Sequence, residues 1–338
     1  NWDYRYCWLR DASLTVRAFL DLGYPDEAAA FVSWLLQTTR LTRPELRILY
    51  DVYGGVPAQE ETLDHLAGFQ GSRPVRIRNA ASVQLQLDTY GEVIDAVAWM
   101  CRGGASLDRE TEGMLRDFGR YVCENWSRPD QGIWEPRDEP LPHTHSRVLC
   151  WTALDRLLAL HQQGHLRSAP IAMYEEERGK IREEVERRGW NPHLASYTHV
   201  LDGDTVDASL LLLSWYGFAD AASARMRDTY ARIRRLLEVR PGLLLRNQAS
   251  EAIGEGAFGV ASFWAVEFLA QGGGTMAEAE SSFASLLSTA TTLGLFGEEM
   301  DRKTGEPLGN FPQAFTHVGL IGAALALEKR RQAEGASA

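Results

Sequence analysis

This 338-residue sequence lacks long apolar runs, strand-type alternation, paired cysteines and an excess of positive charge. No apolar run approaches the roughly 20 residues that a membrane-spanning helix needs. The formal net charge of −11 at neutral pH disfavours nucleic acid and anionic membrane surfaces as partners. With 45% hydrophobic residues, the chain has enough apolar material for a large core. It is therefore predicted to be globular, without nucleic-acid or membrane partners.

Cysteine and histidine usage argues against a disulfide framework and against a metal site. The four cysteines are widely spread and include no Cys-x-x-Cys pair, which favours reduced thiols in a cytoplasmic protein. His143 and His145 lack a third ligand at a suitable spacing. Asp202, Asp204 and Asp207 lack the twelve-residue calcium-loop pattern with its final glutamate, so we expect them to cap the next helix. No metal and no cofactor are predicted.

What the chain does contain is helical periodicity, with apolar residues recurring every three or four positions. Eleven helices are predicted, near residues 14–22, 28–36, 83–101, 107–123, 148–158, 174–188, 208–216, 225–237, 258–269, 277–290 and 315–327. Apolar helices alternate with charged, amphipathic ones, as an inner and an outer ring of helices would require. The segment 208–216 is apolar on all sides and is expected to be fully buried.

Loop lengths alternate as well. The connections that lead into apolar helices are long, near 41–81, 128–143, 189–204, 239–256 and 292–313. In a ring of antiparallel helix pairs these loops emerge at one face, where function usually lies. We therefore expect one all-α domain over residues 1–338, an (α/α)6 toroid of six helix pairs that lacks its first helix through N-terminal truncation.

The first loop cluster is the aromatic stretch at residues 2–11. Aromatic faces such as those of Tyr4 and Trp8 stack on sugar rings, and the adjacent pair Arg10 and Asp11 offers donors and acceptors to sugar hydroxyls. The alternative is structural, with Asp11 capping a helix that starts at Ala12.

The second cluster, Trp134-Glu135-Pro136-Arg137, lies in a loop bounded by glycine and proline. A carboxyl group beside a large apolar ring is poorly solvated, which raises its pKa and lets it act as a general acid. Glu135 is therefore a candidate acid for cutting a glycosidic bond. The alternative is a surface turn with a buried tryptophan.

The third cluster places Glu298 and Glu299 before a turn-rich stretch at residues 305–313. Adjacent carboxylates on an irregular loop project on different sides, so one can face inward. With the second cluster, it would supply the acid and the base that glycoside hydrolysis needs. The alternative is a solvated acidic loop. Arg246 and Glu255, on another long loop, are further candidates for substrate contact.

Five separated motifs resemble glycoside hydrolase family 15, which contains glucoamylases, glucodextranases and some bacterial trehalases. They are Tyr4-Arg5-Tyr6-Cys7-Trp8-Leu9-Arg10-Asp11, Ser72-Arg73-Pro74-Val75-Arg76-Ile77 with Asn79-Ala80-Ala81, Gln131-Gly132-Ile133-Trp134-Glu135, Asp207-Ala208-Ser209-Leu210-Leu211-Leu212-Leu213, and Gly309-Asn310-Phe311-Pro312-Gln313-Ala314-Phe315. The resemblance covers nearly the whole chain and implies an inverting glycosidase with an (α/α)6 toroid.

The resemblance also implies roles for individual residues. Glu135 matches the family's general acid and Glu298 its general base, with Glu299 as the neighbouring alternative. The remaining matches concern substrate binding. Arg10 and Asp11 match the pair that holds the terminal glucose, Trp8 lines the same subsite, Tyr4 lies near the attacking water, Trp134 packs beside the acid, and Arg246 matches an arginine that reaches the sugar. Outside the resemblance, Arg137 of the second cluster is a further candidate for substrate contact.

Three departures from the family pattern stand out. Pro136 replaces a second glutamate of the fungal enzymes, so recognition of the leaving group must differ. Arg78 occupies a position where glycine is expected. The N-terminal β-sandwich of bacterial members is absent from the chain.

The sequence ranks an exo-acting α-glucosidase of glucoamylase type first, acting on α-glucans or oligosaccharides. An α,α-trehalase acting on a disaccharide is the alternative. From other classes, a non-catalytic glucan-binding protein and a glycan phosphorylase are disfavoured because both carboxylates are present.

Overall fold

The computed structural model describes residues 1–336, which form two compact units, Asn1–Ile181 and the residues from Arg182 onward. Both units are mostly helical, and their strands are only two or three residues long. Within residues 1–336, no helix is long and apolar enough to cross a membrane.

The first unit contains five complete helices and the start of a sixth. They are α1 (Leu9–Asp21), α2 (Pro25–Thr39), α3 (Asp88–Arg102), α4 (Arg109–Asn125), α5 (Thr144–Gln162) and α6 (Ile171–Glu184). Its strands are β1 (Cys7–Trp8), β2 (Leu49–Tyr50), β3 (Glu61–Thr62) and β4 (Arg76–Ile77). β1 pairs with β2 and β3 pairs with β4, in both cases antiparallel.

The core of the first unit is built on α3 and α5, which are buried on nearly all sides. The neighbouring helix α4 is amphipathic and buries one stripe that includes Leu115 and Phe118. Asp108 starts α4 by accepting a hydrogen bond from the backbone N–H of Thr111 at 2.8 Å. The expected alternation of buried and amphipathic helices is confirmed in this unit.

The second unit contains α7 (Leu212–Trp215), α8 (Ala224–Leu237), α9 (Ala249–Ala252), α10 (Gly259–Phe268), α11 (Met276–Leu287) and α12 (Ala314–Gly335). Its strands are β5 (Trp190–Asn191), β6 (Ser196–Tyr197), β7 (Glu238–Arg240), β8 (Leu243–Leu244), β9 (Ala257–Phe258), β10 (Glu299–Met300) and β11 (Pro307–Leu308). β10 lies between β9 and β11 and joins two long loops at the N-terminal end of α10.

All ten residues of α10 are buried, and the amphipathic α8 covers part of the core with residues such as Ile233. The apolar segment 208–216 is buried as predicted, but it is not one continuous α-helix. A 3-10 turn at Ala208–Leu211 precedes the four-residue α7, because the Asp207 carboxylate accepts the backbone N–H of Ser209 at 2.8 Å and sets a tight start. The predicted capping role of Asp207 is confirmed.

All four cysteines are free thiols, and Cys101 and Cys150 are buried. Among residues 1–336, no group of three potential ligand side chains that could hold a metal ion is present. His143 instead lies against Gly132, and His145 lies 3.8 Å from the carboxylate of Asp88.

Candidate active site

The loop that carries Glu135, which we call the acid loop (residues 130–136), lies against the start of α1 in the first unit. The indole N–H of Trp8 donates a hydrogen bond to Oε1 of Glu135 at 2.8 Å. Nη1 of Arg10 lies 3.5 Å from the same oxygen. The first two sequence clusters are therefore brought together around one carboxyl group, through its Oε1 atom.

One aromatic partner of Glu135 is thus Trp8, 127 residues away in sequence. The adjacent Trp134 is half-buried. Tyr4 extends the aromatic surface, with its ring centroid 5.7 Å from that of Trp8. Tyr4 is 43% exposed and Trp8 only 9%, so Tyr4 is the more accessible ring.

Arg10 is engaged mainly with protein groups. Its Nη2 lies 3.0 Å from Oδ2 of Asp11, and its Nη1 donates to the carbonyl of Ile133 at 2.8 Å. The Arg10 side chain is 8% exposed and that of Asp11 is 35% exposed. Asp11 therefore presents the accessible oxygens of this pair. Because α1 begins at Leu9, Asp11 lies inside the first turn, and the capping alternative is wrong.

Two glutamines that sequence reasoning missed complete the surroundings of Glu135. Oε1 of Gln86 accepts from Arg10 Nη1 at 3.4 Å, and Nε2 of Gln86 donates to Gln84 at 3.3 Å. Nε2 of Gln84 donates to the carbonyl of Pro136 at 2.9 Å. Both glutamines lie in the stretch between Val83 and α3, which the periodicity assigned to a helix, so no sequence signal marked them.

Burial raises the pKa of Glu135, as the sequence analysis expected. The positive charge of Arg10 opposes the shift, the negative charge of Asp11 adds to it, and hydrogen bonds from Gln86 and Trp8 lower the pKa again. The carboxyl group is thus largely removed from water but firmly held. A held carboxyl group with a raised pKa suits proton donation.

The backbone of the acid loop is shaped by two residues in the left-handed region. Glu135 has a φ of 56° and Gly132 a φ of 64°. Non-glycine residues seldom adopt this conformation, and they cluster at functional sites when they do. The positive φ of Glu135 therefore supports a functional role for the acid loop.

We expect Gly132→Ala to destabilise the first unit by roughly 1–3 kcal/mol. An added Cβ would strain a positive φ and lie 2.8–3.0 Å from three ring atoms of His143. Urea denaturation measures the change. The control is Gly179→Ala on α6, where an added Cβ meets no atom within 4 Å. A Gly132→Ala variant as stable as that control would contradict the expectation.

Arg137 lies on the exposed side of the acid loop. Its guanidinium forms two hydrogen bonds with Glu60, at 3.1 and 2.7 Å, and lies 4.6 Å from the ring centroid of Trp2. Arg76 covers Trp2 as well, at 4.1 Å, and contacts Glu60 at 3.1 Å. Glu60 and Trp2 therefore fix the orientation of Arg137.

Arg78, at the position where glycine was expected, has a φ of 65°. This is the left-handed conformation that glycine adopts freely. The backbone N–H of Arg78 donates to the buried Asp3 carboxylate at 2.8 Å, which helps to hold the strained residue. The arginine thus keeps the backbone shape that a glycine would have.

In the second unit, Glu298 is held by the motif that follows it. Its Oε2 accepts the backbone N–H of Asn310 at 3.0 Å, and its Oε1 lies 3.5 Å from Nε2 of Gln313. Gly309 packs on the carboxylate, and a Cβ there would lie 2.8 Å from Oε2. The Gly309–Gln313 stretch is thus a cradle for the Glu298 carboxylate.

Glu299 has different partners, as expected for neighbouring residues on a strand. Its Oε2 accepts the backbone N–H of Gly256 at 2.8 Å. Burial raises the pKa of Glu299 to about 7, and the nearby charge of Glu255 adds to this. Glu299 is therefore a poor permanent anion near neutral pH, which favours Glu298 for a role that needs an ionised carboxylate.

The guanidinium of Arg246 donates two hydrogen bonds to Glu255, from Nε to Oε2 at 2.9 Å and from Nη2 to Oε1. The guanidinium also lies 5.5 Å from the ring centroid of Phe258. The structure thus brings Arg246, Glu255 and Glu299 into one cluster beside β9 and β10.

Comparison with known proteins matches this architecture. The family model for "Glycosyl hydrolases family 15" matches residues 1–290 and 274–325. A trehalase of Thermoplasma acidophilum is 34% identical over 331 residues, covering 97% of this chain and 56% of the relative. A trehalase of Mycolicibacterium smegmatis is 36% identical over 334 residues, covering 96% and 49%. The chain spans about half the length of the curated relatives it matches.

Solved structures show the same fold. A wild-type glycosidase has a TM-score of 0.80 at 19% identity, covering 96% of this chain and 88% of that chain. A bacterial glucoamylase complexed with acarbose has a TM-score of 0.75 at 13% identity, covering 97% and 49%. The predicted all-α (α/α)6 fold class is confirmed.

Proposed function

The chain belongs to glycosyl hydrolases family 15, and from that premise we propose that it hydrolyses α,α-trehalose with inversion at the anomeric carbon. The sequence alone ranked a glucoamylase first. Relatives named trehalase, at 34 and 36% identity over nearly the whole chain, support the reverse order. The solved glucoamylase shares the fold at 13% identity, which carries no argument about substrate.

The observation that carries the proposal is the environment of Glu135. Its side chain is 19% exposed, its pKa is raised by burial, and its Oε1 is fixed by Trp8 and Arg10. A general acid needs a proton at working pH and a fixed direction in which to deliver it. The raised pKa of Glu135 supports the first requirement, and the contacts of Oε1 support the second.

The geometry also distinguishes the two oxygens of Glu135. Oε1 accepts the Trp8 N–H and faces Arg10, and both groups are donors. A proton on Oε1 would compete with these donors, which favours Oε2 as the oxygen that carries the proton of the neutral acid. Oε2 is therefore the atom that protonates the glycosidic oxygen.

An inverting reaction also needs a base that activates water. For that role we propose Glu298, whose carboxylate is fixed by Asn310 and Gln313. As Glu135 protonates the glycosidic oxygen, the C1–O bond breaks through an oxocarbenium-like transition state. Glu298 accepts a proton from the attacking water, whose oxygen forms the new C1–O bond.

The substrate contacts we propose follow the same assignment. Asp11 offers accessible oxygens to hydroxyls of the bound glucose, and Tyr4 and Trp8 provide the aromatic wall. Arg137, with Trp134 nearby in sequence, and Arg246 are further candidates for sugar contact. Arg137 and Arg246 are each held by a glutamate, Glu60 and Glu255, so their guanidinium groups are pre-oriented.

The test is glucose release from trehalose, maltose, isomaltose and panose, with early products followed by ¹H NMR. Trehalose should be the preferred substrate. Inversion makes the attacked unit β-glucose while the leaving unit stays α-glucose, so equal amounts of both anomers should form first. Preference for maltose would restore the glucoamylase ranking, and only α-glucose would overturn inversion. Silence on all four sugars would favour the non-catalytic glucan-binding alternative.

We expect Trp8→Phe to move the basic limb of the kcat profile to higher pH. The indole hydrogen bond stabilises the charged form of Glu135, so its loss raises the pKa further. The protonated acid then persists to higher pH, by roughly half to one unit. A pH–rate profile measures the shift, with Trp34→Phe as the control because Trp34 donates to the backbone carbonyl of Val52. A shift to lower pH would contradict the assignment.

A further inference from the structure

Two carboxyl groups, Asp88 and Asp130, are fully buried in the first unit and take no part in the reaction proposed above. Asp130 is the first residue of the acid loop, and Asp88 is the first residue of α3. Burying carboxyl groups is costly, so their place in the core calls for a reason.

Asp130 anchors the acid loop to the segment that precedes α3. Its Oδ2 accepts the backbone N–H of Leu87 at 2.9 Å. The next residue, Gln131, continues the attachment: its N–H donates to the carbonyl of Leu85 at 3.0 Å, and its side chain accepts the N–H of Leu85 at 3.1 Å. At the other edge, Asp130 pairs with Leu141 through two backbone hydrogen bonds.

The anchored segment is the one that surrounds Glu135. Gln86 lies between Leu85 and Leu87 and accepts from Arg10, and Gln84 donates to the carbonyl of Pro136. A displacement of the segment would therefore move the partners of Glu135 on both sides. The Asp130 carboxyl group is thus linked to the proposed acid through Leu87, its neighbour Gln86, and Arg10.

Charge links the pair to the acid as well. Arg10 lies within electrostatic reach of Glu135, Asp88 and Glu92. The groups that face Asp88 and Asp130 come from several elements: Arg10 and Asp11 of α1, Glu92 of α3, and His145, Arg147 and Cys150 of α5. Arg10 is the charge that Asp88 shares with Glu135, and Asp88 in turn acts on Asp130.

We propose that Asp130 is a positioning residue for Glu135: its buried carboxyl group fixes the acid loop on the Leu85–Leu87 segment and, together with Asp88, sets the charge around Arg10. The proposal rests on the assignment of Glu135 as the acid. Neither Asp130 nor Asp88 touches the substrate in this scheme.

The protonation state of the pair supports the second half of the proposal. Burial raises the pKa of Asp130 to about 7, and the charge of Asp88 adds to the rise. Burial also raises the pKa of Asp88, while Arg10 opposes that rise. Asp130 thus gains its negative charge near neutral pH. That charge disfavours ionisation of Glu135 and keeps the acid protonated to higher pH.

The experiment compares Asp130→Ala with Asp130→Asn. The alanine removes the acceptor for Leu87 and should lower kcat about 10- to 100-fold, with KM changed less than about threefold. The asparagine can still accept that bond, so its loss in kcat should be several-fold smaller. Because asparagine stays neutral, the basic limb of its kcat profile should move to lower pH by roughly half a unit.

The NMR resonance of the Trp8 indole N–H, which donates to Glu135, gives a readout that does not depend on activity. In ¹⁵N-tryptophan-labelled protein its resonance, assigned through its loss in Trp8→Phe, should titrate with Glu135. In Asp130→Asn the midpoint should move to lower pH. The control is Asp95→Asn, which removes another buried carboxylate of α3 whose partners are Arg17 and Arg156. It should leave both the pH limb and the Trp8 titration in place.

Two results would overturn the proposal: wild-type kcat in Asp130→Ala, or a Trp8 titration in Asp130→Asn that matches Asp95→Asn. If Asp130→Ala does not fold, Asp130→Asn decides alone. If the wild-type chain hydrolyses no sugar, the proposed function fails, and the Trp8 titration still judges the role of Asp130.

Discussion

Glu135→Gln should lower kcat on trehalose by about 10²- to 10⁴-fold, the range typical for loss of a general acid. Glutamine keeps the size of the side chain, and its amide oxygen can still accept from Trp8 Nε1. What it lacks is the proton on the second oxygen. KM should change little, because the residues assigned to sugar contact stay in place. Steady-state kinetics over a pH range measures both quantities.

The matched control is Glu139→Gln, an exposed carboxylate four residues further along the chain. It should retain wild-type kcat, which separates the loss of the acid from a general loss of negative charge. A second check uses a substrate with a good leaving group, such as α-glucosyl fluoride. Its hydrolysis needs little protonation, so Glu135→Gln should recover much of its rate there. Equal loss on both substrates would contradict the acid role.

The second large effect is expected for Glu298→Gln, with a decrease in kcat of about 10²- to 10⁴-fold on every substrate. Loss of a base is not rescued by a better leaving group, since water must still be deprotonated. The amide oxygen can still accept the backbone N–H of Asn310, and only the longer contact from Gln313 at 3.5 Å is lost, so the fold of the loop should be preserved. Thermal unfolding checks that preservation.

Glu299→Gln is the comparison that decides between the neighbouring carboxylates. Burial and the charge of Glu255 raise the pKa of Glu299 to about 7, so it is partly neutral already. Glu299→Gln should therefore lower kcat far less than Glu298→Gln does, and it should relieve the charge repulsion with Glu255. If Glu299→Gln proves the more damaging variant, the base role passes from Glu298 to Glu299.

The helices were predictable because their cause is local. An apolar residue every third or fourth position marks a buried face whatever the rest of the chain does. α10 was therefore found within one residue of its limits, whereas α3 begins at Asp88, later than the predicted start near Val83. The segment 208–216 differed because the Asp207 carboxylate engages the backbone N–H of Ser209 and imposes a 3-10 start. Such a contact depends on a side-chain rotamer, which periodicity does not record.

The candidate acid could be named from sequence, but its environment could not. Proximity in sequence suggested Trp134 as the ring beside Glu135, whereas the hydrogen bond comes from Trp8. Gln84, Gln86 and Asp130 attracted no attention because each is an ordinary residue until the chain brings it to the acid loop. Arg78 departed from the family pattern already in the sequence. Its φ of 65° is the conformation that glycine, the expected residue, adopts freely.

What the sequence determined by itself is the class of chain: all-α, of the (α/α)6 type, with motifs of a glycosidase family in order. These properties follow from periodicity and from residue types at short spacing. The tertiary structure decided which groups surround Glu135 and which of them contact its Oε1 atom. Those features rest on burial and on contacts between residues as far apart as Trp8 and Glu135. A pKa responds to such an environment, which exists only once distant segments pack together.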